Sequence, residues 1–241
     1  ELKMIQSNVI DFQMKKYERS FRDIIKQFGM EVFLETSLGL NFDDKELWIL
    51  CESIKNSIEF WENDIDKMRK KDADLFDDDI NYTCYKIKIT RKTLDKVESC
   101  YDKINYPHIR YENDLARLTI KIKKEIKEEG LEGLDKKLIE KFKKFYPGET
   151  EEEVLEIIKN TNGNNVKFNS VTMNCDFEEI MWFIIYLETG GMLAFTSSNE
   201  ADTMHCWDKE DFPYVLELYQ RFKDIDIAIA NAMRHEEVEL L

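Results

Sequence analysis

Glycine and proline are scarce in this chain of 241 residues, which contains eight Gly and three Pro. Collagen-like, linker-like and turn-rich all-β chains contain far more of both residues. Hydrophobic residues make up 43% of the sequence, a share too high for general disorder. The composition therefore predicts a chain that folds around a hydrophobic core. A chain of this length can bury about 70% of its unfolded surface without help from a metal or a disulfide.

Long hydrophobic runs are also missing, since the longest is the eight-residue run from Ile180 to Leu187. A membrane-spanning helix needs about 20 consecutive apolar residues. The first residues lack the basic start and the apolar middle of a secretory signal. The five cysteines are odd in number and have no short paired spacing, so a disulfide framework is not expected. These absences favour a cytoplasmic protein that makes no contact with a membrane.

Sequence signatures of common catalysts and metal sites are missing as well. None of the three His residues lies in an HExxH or Glu-x-x-His pattern, and there is no glycine-rich phosphate loop. The acidic run from Asp72 to Asp79 lacks the Gly and Glu that a calcium loop needs at its sixth and twelfth positions. His205 and Cys206 are neighbours on a predicted strand, so they point to opposite faces and cannot form one catalytic pair. We therefore predict no catalytic residue, no metal ligand and no cofactor.

Negative charge dominates the chain but is unevenly distributed along it. The formal net charge is −15, from 35 Lys and Arg against 50 Asp and Glu. Residues 84–147 carry 17 basic and 11 acidic side chains, whereas residues 161–241 carry 5 basic and 15 acidic ones. An acidic surface repels nucleic-acid phosphates and steers basic proteins toward itself. The alternative interpretation is that the negative charge only keeps the protein in solution.

Apolar residues at heptad spacing indicate that the first part of the chain is helical. The spacing is clearest between residues 47 and 68, where steps of four and three alternate, and a second such helix is predicted for residues 80–104. The first seam consists of Leu47, Cys51, Ile54, Ile58, Trp61, Ile65 and Met68. A short acidic loop between two long seams predicts an antiparallel αα-hairpin. Pro107 ends the second helix, and shorter helices are predicted up to residue 160.

The periodicity changes after the turn-forming residues 160–165. A strand is predicted at residues 166–173, followed by a nearly enclosed helix that Asp176 and Glu179 cap and that Gly190 and Gly191 end. Two strands, at 192–198 and 203–207, and a final helix complete this part. The predicted fold class is mainly α with a small α+β part. It consists of a helical bundle with a long antiparallel αα-hairpin, residues 1–160, and an acidic β-α-β-β-α module, residues 161–241.

The residues around the loop between the last two predicted strands form the main candidate binding site. Their carboxylates and single histidine are suited to contact a basic partner. The candidates are Glu200, Asp202, His205, Asp208, Glu210 and Asp211. A surface loop followed by a helix cap has the same composition, so a structural role is the alternative.

A secondary basic stripe is predicted at Lys121, Lys124, Lys137, Lys141 and Lys144, beside aromatic residues 142, 145 and 146. In isolation this stripe is suited to track a nucleic-acid strand or to contact an acidic protein surface. A solvated helix surface is the alternative. The four tryptophans, at positions 48, 61, 182 and 207, lie in or beside apolar seams and are expected in the core. Any that is exposed would be a candidate interface anchor.

The charge pattern and the missing catalytic signatures favour a non-enzymatic, acidic protein–protein interaction protein of the inhibitor, immunity or adaptor type. The expected partner is a protein with a basic surface, such as a nucleic-acid-binding protein whose cationic groove an acidic surface would block. Direct binding of nucleic acid by this chain is not expected. One alternative is an enzyme or effector with a site around His205 and its neighbouring carboxylates. Another is a self-assembling helical protein whose seams pair between chains in a homo-oligomer.

Overall fold

The computed structural model describes residues 17–72, 75–160, 168–193 and 210–239. The chain is mainly helical and contains a small antiparallel sheet of two strands. The predicted fold class, mainly α with a small α+β part, is therefore confirmed. Among the described helices, none combines the length and the apolar character that crossing a membrane requires.

The elements follow one another in a simple chain order. They are α1 (residues 17–28), α2 (Met30–Leu34), β1 (Leu38–Asp43), α3 (Asp44–Asp72), α4 (Asp77–Tyr101), α5 (Pro107–Glu129), α6 (Lys136–Lys143), α7 (Glu151–Asn160), β2 (Ser170–Cys175), α8 (Phe177–Tyr186) and α9 (Phe212–Glu239). A 3₁₀ turn, Leu131–Gly133, precedes α6, and a π-helical segment, Leu187–Leu193, follows α8. Strands β1 and β2 pair with each other.

The contacts divide the chain into two compact units. Unit 1 comprises Glu1–Asn41, Lys45–Ser99 and Thr172–Leu241, and unit 2 comprises Phe42–Asp44 and Cys100–Val171. Helices α8 and α9 belong to the same unit as α3 and α4. The division expected from composition, residues 1–160 and 161–241, stays a prediction.

The predicted apolar seams of α3 and α4 lie in the core of unit 1. Leu47 and Ile54 are fully buried, and Ile87 and Val97 are at most 8% exposed. Across the two helices, Lys55 Nζ lies 3.1 Å from Glu98 and Arg91 lies 2.7 Å from Glu62. Lys55 precedes Glu62 on α3, whereas their partners, Glu98 and Arg91, occur in the reverse order on α4. Burial of one apolar face on each helix is the main stabilising contribution that this arrangement offers.

Two parts of unit 1 differ from the sequence-based prediction. The apolar residues between 30 and 40 form α2 and the start of β1, where no strand was predicted. Gly190 and Gly191 do not end a helix, because the chain continues through them as the π-helical segment. Met192 and Leu193, predicted to begin a strand, lie in that segment. The rest of the two predicted strands lies outside the described residues, so the β-α-β-β-α order stays a prediction.

Unit 2 has a small core of its own, formed by α5, α6 and α7. The buried side chains in this core are Ile122, Leu134, Leu138, Ile139, Phe142, Val154 and Ile158. A capping box opens α7, since Glu153 N donates to Thr150 Oγ1 and Thr150 N donates to Glu153 Oε2. These reciprocal hydrogen bonds satisfy backbone N–H groups that a helix start leaves without partners.

A buried polar network in unit 2 surrounds Arg117. Its guanidinium lies 2.8 Å from carboxylate oxygens of Asp43, Asp44 and Asp114. Asn113 Nδ2 donates to Asp44 Oδ1 at 2.6 Å, and both Asn113 and Asp44 are at most 5% exposed. Despite burial, the nearby carboxylates raise the pKa of Arg117 above its usual value. The network therefore compensates a buried carboxylate with a permanent positive charge.

Candidate functional site

Two of the predicted partner-binding residues lie in the described part of the chain, just before α9. Glu210 is exposed, and Asp211 is partly buried. Asp211 Oδ1 accepts a hydrogen bond from Lys45 Nζ at 2.5 Å, and that ammonium also lies 4.2 Å from the centre of the Trp48 ring. The ion pair of Asp211 with Lys45 therefore links the start of α9 to α3 within unit 1. The other four candidates, Glu200, Asp202, His205 and Asp208, lie outside the described residues.

The predicted basic stripe lies on unit 2, and all five of its lysines are exposed. Lys121 and Lys124 are on α5, Lys137 and Lys141 are on α6, and Lys144 directly follows α6. Of the three aromatic residues beside the stripe, Phe142 is only 1% exposed because it belongs to the core of unit 2, whereas Phe145 and Tyr146 are partly buried. A buried ring cannot stack on nucleic-acid bases, so Phe142 is not available for such a contact.

The net negative charge belongs almost entirely to unit 1. Unit 1 carries 21 Lys and Arg against 34 Asp and Glu, which gives a net charge of −13. Unit 2 carries 14 against 16, which gives −2. The field that would attract a basic partner therefore originates from unit 1.

A groove between α4 and α8 is a part of unit 1 where aromatic side chains and carboxylates line one depression. It is lined by Tyr85 and Lys92 from α4, by Glu178, Glu179 and Trp182 from α8, and by Asp176, which caps α8. Helical periodicity explains the arrangement, because Glu178 and Trp182 are four residues apart and so lie on one face of α8. Tyr85 is 60% exposed although it is a large aromatic residue.

The carboxylate of Glu179 is already paired inside the groove. Asp176 Oδ1 accepts from the Glu179 backbone N–H at 2.7 Å, and Asp176 N donates to Glu179 Oε2 at 3.0 Å, so the predicted capping pair is confirmed. Lys96 Nζ donates to Glu179 Oε1 at 2.5 Å and to Oε2 at 2.7 Å. The charge of Glu179 is therefore balanced within the chain.

Trp182 is held in one orientation by contacts on two sides. Its Nε1–H donates to Glu178 Oε1 at 3.3 Å, and its ring stacks on Tyr186 with centroids 5.8 Å apart. Tyr186 is fully buried, its hydroxyl lies 3.1 Å from Thr90 Oγ1, and burial raises its pKa. One wall of the groove is thus an indole ring that rests on the core.

Sequence reasoning predicted the cap of α8 but not the groove. It treated α8 as nearly enclosed, whereas Met181 is 52% exposed and Trp182 is half-buried. Trp61 is buried as expected, Trp48 is half-buried, and Trp207 lies outside the described residues. One signal was available, because Tyr85 lies outside the apolar seam of α4, which includes Ile80, Ile87 and Val97. An aromatic residue off the seam is a candidate for exposure.

No family model, curated protein or solved structure matches this chain. Within the ranges that the structure describes, no group of three or more His, Cys, Asp or Glu side chains is arranged to hold a metal ion. Among the described residues, those that line the groove between α4 and α8 combine exposed aromatic surface with carboxylates.

Proposed function

We propose that this protein is a non-enzymatic, acidic interaction protein that binds a basic protein partner through unit 1. The observation that carries the proposal is the α4–α8 groove, in which an exposed tyrosine and a half-buried tryptophan are accompanied by carboxylates. Aromatic residues with a polar edge are enriched among the side chains that dominate protein–protein binding energies. Carboxylates beside them select for positive charge in the partner.

The charge of unit 1 supports the same proposal at longer range. A net charge of −13 on one unit attracts a basic partner before contact and accelerates the encounter. A partner that itself binds nucleic acid has the required cationic surface, and an acidic competitor would block that surface. Blocking would serve the inhibitor or immunity role expected from the sequence, whereas an adaptor would use the same electrostatic attraction without blocking.

The cytoplasmic location expected from the sequence remains part of the proposal. The sequence supports it, because the five cysteines are odd in number and lack the short paired spacing of a disulfide framework, as expected for a protein of a reducing compartment.

Neither alternative function gains a supporting observation from the described residues. The enzyme centred on His205 stays a prediction, because His205 lies outside them. Self-assembly through the helical seams would compete with the existing core, since Ile54, Ile58 and Ile87 are buried within the chain. Pairing those seams between chains would require unit 1 to open.

Binding of a labelled, capped Lys- and Arg-rich peptide to the full chain tests the proposal. We expect the affinity to fall as the ionic strength rises, because salt screens the attraction between unlike charges. An acidic peptide of the same length serves as the control and is expected not to bind. Binding that ignores ionic strength, or equal binding of the two peptides, would contradict the proposed function.

A further inference from the structure

We infer that the groove between α4 and α8 receives an arginine side chain of the partner, with its guanidinium stacked against Tyr85 or Trp182 and hydrogen-bonded to Glu178. This inference rests on the proposed function and specifies the chemical group that the groove recognises.

The aromatic walls of the groove favour a cationic ligand. Tyr85 lies on α4 and Trp182 on α8, and both side chains line the same groove. The face of an aromatic ring attracts a cation, and tryptophan does so most strongly. Unit 1 already contains two contacts of this kind, since Lys45 and Lys86 place their ammonium groups 4.2 and 4.1 Å from the ring centres of Trp48 and Trp61.

The three carboxylates that line the groove differ in how they are already paired. Glu179 is paired with Lys96, and Asp176 caps α8 through its Oδ1 atom. Glu178 differs from Glu179, because Glu178 accepts a hydrogen bond only at Oε1, from Trp182. Among the described residues, none donates a hydrogen bond to Glu178 Oε2. Glu178 can therefore accept a hydrogen bond from an incoming cation without losing its contact with Trp182.

Arginine fits this combination better than lysine. Its guanidinium is planar, so it can stack on an aromatic ring while its N–H groups point sideways toward a carboxylate. The ammonium group of lysine has no plane to stack. Lys92, which also lines the groove, carries the same charge as the ligand and is expected to weaken its binding.

Titration of the full chain with a capped Arg-rich peptide tests the inference by calorimetry. The same peptide with citrulline in place of arginine has the shape without the charge, and we expect it to bind several-fold more weakly. We expect Tyr85→Ala to weaken binding by about three- to fivefold. The matched control is Tyr82→Ala, since Tyr82 is 62% exposed on the same helix but does not line the groove. We expect this variant to bind the peptide with unchanged affinity.

Charge variants test the electrostatic part with opposite signs. Glu178→Gln keeps the acceptor for Trp182 but removes the charge, and we expect affinity to fall about threefold. Lys92→Gln should raise affinity by about twofold. Glu140→Gln removes an exposed charge from α6 in unit 2 and is the control for Glu178→Gln.

The outcomes separate this inference from the proposed function. If the Arg-rich peptide binds with salt dependence but the Tyr85, Glu178 and Lys92 variants all bind like the unmodified chain, the groove assignment is wrong and the proposed function stands. A Lys-rich peptide that binds as tightly as the Arg-rich one would overturn the choice of arginine. Absence of binding by either basic peptide would remove the proposed function together with the inference.

Discussion

The backbone of Gly190 lies directly against the carbonyl group of Ser53 on α3. A Cβ atom added to Gly190 would lie 1.8 Å from Ser53 O and 2.7 Å from Ser57 Oγ. Asn56 fixes the same contact, because its Nδ2–H donates to the carbonyl oxygen of Gly190 at 3.0 Å. The π-helical segment after α8 is therefore held against α3 by a backbone approach that only glycine permits.

We expect Gly190→Ala to destabilise the protein by about 3 kcal/mol, because the added methyl group would overlap a backbone atom that cannot rotate away. Gly191→Ala is the matched control. Its Cβ would approach Val215 Cγ1 at 2.9 Å and Ser53 Oγ at 3.3 Å, which are side-chain atoms that can shift. Urea denaturation should therefore show a clearly larger loss for Gly190→Ala, and similar losses for the two variants would contradict the close backbone approach.

Removal of the Ser53 hydroxyl should leave stability unchanged or raise it by up to about 1 kcal/mol. Ser53 Oγ is buried and has no hydrogen-bond partner among the described residues. Ser57 offers the comparison, because its Oγ donates to Ser53 O at 2.8 Å in the same buried region. We expect Ser57→Ala to cost about 1 kcal/mol in thermal or urea unfolding. A larger loss for Ser53→Ala than for Ser57→Ala would show that Ser53 has a partner.

The ionisation of Tyr219 should report its contact with Glu188. Tyr219 OH donates to Glu188 Oε1 at 2.7 Å, and this hydrogen bond to a carboxylate raises the pKa of Tyr219 to about 12. Because the neutral phenol is the form that the folded state favours, its stabilising contribution is complete below pH 10 and is lost as the pH rises toward 12.

The measurement is the difference in ultraviolet absorbance between the unmodified chain and Tyr219→Phe during an alkaline titration. The difference isolates one of the ten tyrosines in the sequence. Glu188→Gln keeps an acceptor but removes the charge, and we expect it to lower the pKa of Tyr219 toward its ordinary value. An unchanged titration in Glu188→Gln would assign the raised pKa to another cause.

The parts of the fold that were predictable are those that local periodicity determines. The seam from Leu47 to Ile65 repeats with a regular period, and its residues are buried. Strand β1 carries a shorter signal, since only Leu40 and Phe42 alternate inward, and too few repeats distinguish it from a loop. Capping pairs such as Asp176 and Glu179 were predictable because they lie within one helical turn.

The groove and the Arg117 network were not predictable, because both depend on residues that only the tertiary fold brings together. Tyr85 and Trp182 are separated by almost a hundred positions in the sequence, and nothing local to either indicates the other. In the sequence, Arg117 is not distinguishable from the other basic residues of a Lys-rich stretch. In the structure its side chain is only 12% exposed and is surrounded by carboxylates. Sequence patterns predict the helices and strands. Only the tertiary structure shows which faces of these elements meet.

The Arg117 network should make a large contribution to the stability of the protein. Replacement of Arg117 by Met removes the positive charge but leaves Asp44 buried, with a side chain that is 7% exposed. Removal of one partner from a buried ion pair typically costs about 3–5 kcal/mol, because the remaining charge is left without compensation. Denaturant unfolding of Arg117→Met is the direct measurement.

Arg91→Met provides the control for this prediction. Its ion pair with Glu62 joins side chains that are 62% and 49% exposed, so water already solvates both charges. We expect a loss below about 1 kcal/mol. Restoration of stability to Arg117→Met by a second change, Asp44→Asn, would identify the uncompensated carboxylate as the cause, because Asn keeps an acceptor for Asn113 without the charge. If Arg117→Met is no more costly than Arg91→Met, the network is dispensable and Asp44 must be solvated.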